Sequence, residues 1–137
     1  MFELSFDYWN QLAGHLILTC ALLTGFSIAI TANLIINSNS NRLHNAILKV
    51  STISSGCFLV AVFALTNILM KTTEGYPFEV TNADLTKPRI IGILSYMLGV
   101  VSLLTVIGMS GWTKSRNTGI FTTVVSAFAL ILIMFFI

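Results

Sequence analysis

Apolar residues run along this chain in four long stretches, about Leu12–Ile36, Ala46–Met70, Ile90–Gly111 and Gly119–Ile137, with short polar segments between them. A helix needs ~20 residues to cross ~30 Å of hydrocarbon. The first two stretches are long enough to tilt or protrude, and the fourth is just long enough. Backbone groups in lipid must be satisfied within the segment or in a closed barrel. None of the stretches alternates with a period of two, which selects helices over barrel strands. The pattern predicts an all-α polytopic membrane protein: one domain, 1–137, of four transmembrane helices, joined as a homo-oligomeric bundle.

The polar segments punctuate this reading. Asn37-Ser-Asn-Ser-Asn41 reads as a turn, and Asn45 as an N-cap for the second helix. Pro88 suits the first turn of the third helix. Gly111 reads as a stop signal before Lys114-Ser-Arg-Asn117. The longest connection, Lys71–Lys87, holds Gly75, Pro77 and Asn82 with three acids and reads as a solvated loop. The segment Phe2–Trp9 is aromatic and partly polar, suited to lying along the membrane surface, with Tyr8 and Trp9 in one aromatic belt and Trp112 in the other.

Composition sharpens the class. Hydrophobic residues make up 55% and charged residues 9%, with mean hydropathy +0.89; a soluble domain carries roughly 25% charged residues. A water-facing surface cannot be built from so few charges, so lipid is the solvent of most of this surface. Cys20 and Cys57 sit in apolar runs and behave as small hydrophobes. The first thirty residues do not read as a secretory leader, because Glu3 and Asp7 precede too long an apolar run. No Asn-x-Ser/Thr glycosylation acceptor is present.

Orientation follows from counting basic residues. The two short connections share one side and carry Arg42, Lys49, Lys114 and Arg116 with no acid; the other side has Lys71, Lys87, Arg89 and all five acids. Four basic residues against three place the short loops in the cytoplasm and both termini outside. The four cations then meet anionic lipid headgroups. Alternatively, repeated around a symmetric oligomer, they form a ring that could bind a nucleotide, a nucleic acid or another polyanionic regulator.

No Asp, Glu, Lys or Arg lies in the middle of a span, which argues against ion-coupled transport. A carrier would also show discontinuous helices or a repeat. The first helix has the richest polar pattern. Cys20, Thr24, Ser27 and Thr31 recur on one face, and His15, Thr19 and Asn33 form a second, sparser line. Ala21, Gly25, Ala29 and Ala32 lie between them. Such a stripe either packs helices together or lines a pore. In the pore reading Cys20, Thr24, Ser27, Thr31 and Asn33 are the lining, and Leu23 or Phe26 is an apolar gate closed by dewetting. Gly92, Ser95, Gly99 and Ser102 form a packing stripe on the third helix, and Asn67 is a lone, structural amide. No nucleophile–base pair, metal-ligand spacing or phosphate loop is evident, so the chain does not read as an enzyme and implies no cofactor. The leading expectation is an oligomeric channel or pore-forming effector of about four or five copies, gated at its basic face. The alternative is a non-conducting subunit that assembles with another membrane protein.

The run Ala21-Leu-Leu-Thr-Gly-Phe-Ser27, followed by Asn33, resembles the pore helix of Orai-type calcium channels over about thirteen of 137 residues. The resemblance implies a four-helix, oligomeric channel with this helix at the axis. The family's filter glutamate matches Asn33, and the basic run that precedes the family's pore helix is missing here. That topology would put the N-terminus inside, opposite to the basic-residue count. In size, helix count and lack of catalytic residues the chain is also similar to small four-helix membrane effectors of bacterial antiviral defence, which implies a bacterial inner membrane.

Overall fold

The structure, a computed structural model, describes residues 5–37 and 41–137. It holds four α-helices: α1 Phe6–Ile36, α2 Arg42–Thr72, α3 Asn82–Ser110 and α4 Arg116–Phe136, with a 3₁₀ turn, Gly111–Thr113, between the last two. All four are long and apolar enough to span a membrane. The chain is thus an all-helical integral membrane protein.

The helices outrun the apolar stretches, because the apolar stretch marks hydrocarbon and the helix continues into the interface. α1 and α2 have 31 residues each and α4 has 21. At 1.5 Å per residue they are roughly 46 Å and 31 Å long, against ~30 Å of hydrocarbon. Ser5 caps α1 by accepting the Tyr8 N–H at 3.3 Å. Residues 6–9 therefore continue α1 and are not a separate surface segment; residues 1–4 lie outside the described part. The cap of α2 is Asn41, not Asn45, which lies within the helix. The middle of the polar turn, residues 38–40, also lies outside the described part.

α3 likewise begins about one turn earlier than the start near Thr86 that Pro88 suggested. The Asp84 carboxylate accepts both the Thr81 N–H, at 3.1 Å, and the Thr81 hydroxyl, at 2.7 Å, which fixes the start. Pro88 consequently sits inside the helix and not in its first turn. Its missing N–H leaves the Asp84 carbonyl without its intrahelical donor, and Asp84 is exposed, so water can supply one. Gly111 ends α3 in a right-handed conformation, φ −64°, and not as a left-handed cap. Its lack of a side chain answers to space: a Cβ there would collide with the Thr122 side chain and the Thr118 carbonyl.

α2 is the central element. α1 and α3 both pack on it, while α4 packs chiefly on α3 and the 3₁₀ turn. The core gathers Ala13 and Cys20 of α1, Phe58, Ala61, Leu65 and Ile68 of α2, and Leu85 and Leu103 of α3. Gly99 lets the α3 backbone meet Phe58, whose ring would stand 2.8 Å from a Cβ at that position. Gly92 likewise lies against Ala64 and Leu65. The small-residue stripe of α3 is thus its seam with α2.

The α3–α4 seam is built from short side chains. Thr122 and Thr123 donate to the Gly108 carbonyl at 3.0 and 3.3 Å. Trp112 lies over Gly119 and donates its indole N–H to Thr123 at 3.0 Å.

Both ends of the α1–α2 pair are tied. Asn10 places its amide nitrogen 3.3 Å from the Leu69 carbonyl and 3.1 Å from the Thr72 hydroxyl, at the C-terminal end of α2. At the other end, His44 Nε2 lies 2.8 Å from the Leu34 carbonyl, near the end of α1. A carbonyl can only accept, so Nε2 carries a proton. The Arg89 guanidinium lies 3.8 Å from the Trp9 ring centroid and bridges α3 to α1.

Candidate functional site

The polar stripe of α1 turns inward. Cys20, Thr24 and Ser27 are buried, and Thr31 is half-buried. Opposite them α2 presents Ser51, Ser54 and Ser55, all buried. The Ser27 and Ser54 hydroxyls lie 3.3 Å apart, and those of Thr31 and Ser51 2.8 Å. Ser51 donates to the Ser27 carbonyl at 3.1 Å, and Ser54 to the Gly99 carbonyl of α3 at 3.1 Å. This network joins three helices within the apolar stretches.

Thr24 instead bonds its own helix, donating to the Cys20 carbonyl at 2.7 Å. Every hydroxyl of the stripe thus has a partner, as a medium without water requires. Within the protomer these four residues pack, one of the two arrangements their spacing allows. With Ser27 and Cys20 having no exposed surface, neither can face an axis between copies in this arrangement. Leu23, a gate candidate, is half-buried and packs against the core.

The remaining candidates stay outside. Phe26 and Asn33 are exposed. With them on the face opposite the seam lie Gln11, His15, Thr19, Leu22 and Ala29, all exposed. From His15 onward these recur as 15, 19, 22, 26, 29 and 33, steps of four and three that keep to one helix face. Thr19 satisfies its hydroxyl locally on the His15 carbonyl at 3.0 Å, and Asn33 accepts from the Asn37 amide at 2.7 Å. Leu22, 76% exposed, and Phe26, 55% exposed, occupy the middle. Gly25 has no atom within 4 Å of where its Cβ would stand, so the flank of this face is open.

Sequence spacing identified the polar positions of α1 but missed Leu22 and Ala29 as members of the free face. It also missed Ser51, Ser54 and Ser55. A signal for those existed: 51, 54, 55, 58, 61, 65 and 68 recur at helical spacing, and all are buried.

The basic candidates all lie at the end of the molecule where α1 finishes and α2 begins. Arg42, Lys49, Lys114 and Arg116 are each exposed. Arg42 and Arg116 are the first residues of α2 and α4, whose first turns hold no acid. By contrast α1 and α3, which start at the opposite end, have Asp7 and Asp84 in their first turns. Among the described residues no group of three or more His, Cys, Asp or Glu could hold a metal ion. No protein family, curated protein or solved structure matches the chain.

Proposed function

We propose that the chain is the subunit of an oligomeric membrane channel in which the free face of α1 lines the axis. The observation that carries this reading is the make-up of that face. It is polar toward both ends, with Gln11, His15 and Thr19 at one and Asn33 at the other, and apolar at Leu22 and Phe26 between them. A face turned only to lipid has no use for amides and imidazole, which cost free energy there. A face turned to water at both mouths does. An apolar middle closes such a path by dewetting, so Leu22 and Phe26 form the gate. The lining is therefore the outer line of α1, with Asn33 retained from the sequence reading.

The basic end is cytoplasmic in this proposal. An arginine at a helix N-terminus opposes the helix dipole, typically by 0.3–1 kcal/mol. Arg42 and Arg116 thus stand where helix stability disfavours them, and the preference of basic residues for the cytoplasmic side accounts for the placement. In a bacterial inner membrane this end meets anionic lipid, and an oligomer of about four or five copies multiplies its charge for an anionic regulator such as a nucleotide or nucleic acid.

One observation favours a second reading. The open flank at Ala21, Gly25, Ala29 and Ala32 is where a foreign helix could approach closely. In that case the chain is a non-conducting subunit that assembles with another membrane protein.

Ion flux through liposomes, with oligomer mass measured on the same preparation, separates the two. The channel reading expects flux that Phe26→Ala raises and Asn33→Leu alters, with the oligomer unchanged. No flux from a defined wild-type oligomer, and none after Phe26→Ala, rejects it. Loss of assembly in Gly25→Leu with flux absent throughout supports the non-conducting subunit.

A further inference from the structure

A second surface feature is independent of α1. Between α2 and α3 an open groove of about 450 Å³ is lined by Val60, Phe63, Ala64, Asn67, Lys87, Pro88 and Ile91. Its floor is apolar, and Val60, Phe63 and Ile91 are all about half or more exposed. Two polar side chains stand on it. Asn67 lies within one turn of the end of the second apolar stretch, and Lys87 within one turn of the start of the third. The helices run antiparallel, so both side chains reach the same membrane boundary.

Asn67 was expected to be a bonded, structural amide. It is exposed, and its side chain has no hydrogen bond to any described residue. An amide at the edge of hydrocarbon without a partner is costly. Among the described residues nothing satisfies it, and its exposure leaves it free to bond a polar group at the membrane boundary.

We propose that this groove binds one anionic phospholipid. The lipid's shape and charge complement the groove: a phosphate at the boundary and an acyl chain below it. The Lys87 ammonium meets the phosphate as a point charge, and the Asn67 amide donates to a phosphate or ester oxygen. The acyl chain runs along Phe63, Val60 and Ile91 over the small side chain of Ala64. Among the described residues no other charged side chain lines the groove, so the net preference is for a negative headgroup.

The test is lipid retention by the purified full chain, loaded with phosphatidylglycerol or phosphatidylcholine of identical acyl chains and read by native mass spectrometry after detergent washing. Wild type is expected to keep about one phosphatidylglycerol per chain under washing that strips phosphatidylcholine. Lys87→Gln lowers that retention about fivefold, the size of one lysine's attraction to an anionic headgroup. Asn67→Leu added to it lowers retention of both lipids further, since both carry the phosphate and ester oxygens that the amide bonds. Ala64→Phe fills the floor, leaves both polar groups in place and also lowers retention, with the thermal midpoint read beside it because Ala64 borders Gly92 at the α2–α3 seam. Lys71→Gln, a charge removed elsewhere at the same end, leaves it unchanged. Circular dichroism on each sample confirms the helices, and Lys87 is exposed enough that its replacement leaves the fold intact. Equal retention of the two lipids by wild type overturns the proposal, as does retention unaffected by Lys87→Gln. A change in oligomer mass with Ala64→Phe at constant lipid retention also overturns it, because the groove then holds a second copy of the chain.

Discussion

One face of α1 is closed by the chain itself and the other is left open, although both carry polar residues at helical spacing. On the closed face Ser27 and Thr31 meet Ser54 and Ser51 of α2, Thr24 bonds the Cys20 carbonyl, and every hydroxyl has a partner within the protomer. On the open face Thr19 and Asn33 bond only within α1 or to the residue just after it. The difference teaches that polarity in a membrane helix has two origins. Inside a protomer it joins helices through short hydrogen bonds, and replacing it harms the fold. On the free face it makes no hydrogen bond to another helix among the described residues, so replacing it should cost the fold little.

The comparison breaks most visibly at Ser27 and Gly25, two positions apart on opposite faces. Ser27 is fully buried, and its carbonyl also accepts from Thr31 and Ser51. Ser27→Leu forces extra carbons into this seam and is expected to destabilise the protein by about 1–3 kcal/mol, the usual cost of overpacking. Gly25→Leu meets open space and is expected to leave the thermal midpoint of the purified protein unchanged or slightly raised, since leucine is the better helix former. If the two substitutions lower the midpoint equally in detergent, the two faces are not different in the way described.

A smaller effect sharpens the same contrast. Ser51→Ala removes the bonds to the Thr31 hydroxyl and the Ser27 carbonyl. Interhelical hydrogen bonds in membranes average about 0.6 kcal/mol and reach about 1.7, and loss within that range is expected. Thr19→Ala, on the open face, removes only a bond to its own helix and should cost less than Ser51→Ala in the same unfolding titration. A larger loss for Thr19→Ala would place Thr19, not Ser51, in the structural seam.

The number of helices and their membrane setting were legible because both follow from composition and run length alone. Helix ends were not, since the apolar stretch reports the hydrocarbon boundary while Ser5, Asn41 and Asp84 set the starts of helices in the interface. That Cys20, Thr24, Ser27 and Thr31 share a face was legible from spacing. Which way that face turns was not, because a stripe of hydroxyls satisfies lipid-buried packing and a water path equally well in one dimension. The deciding residues, Ser51 and Ser54, are on another helix, and Ser54 in turn bonds the Gly99 carbonyl of a third. Backbone acceptors of this kind leave no mark on sequence spacing. Pro88 misled for a related reason: Asp84, whose carbonyl it leaves unbonded, is exposed, so water can bond that carbonyl and the helix can continue through it.

The smallest expected effect on stability is at Leu22, and it tests the open face most directly. In a packed core Leu→Ala costs about 2–5 kcal/mol, because contacts are lost and a cavity remains. Leu22 is 76% exposed and packs on little within the protomer. Leu22→Ala should therefore change the unfolding free energy of the protein by less than about 0.5 kcal/mol. A loss of core size would show that another part of the chain covers this face. With stability unchanged, the same variant reads what lies outside. If Leu22 stands at the axis with Phe26, trimming it widens the apolar constriction, and water enters a wider constriction more easily, so flux rises. If Leu22 lies instead against a neighbouring subunit, the oligomer loosens and flux falls. Fold, gate and interface thus move three different observables, and one substitution with no structural role inside the protomer tells them apart.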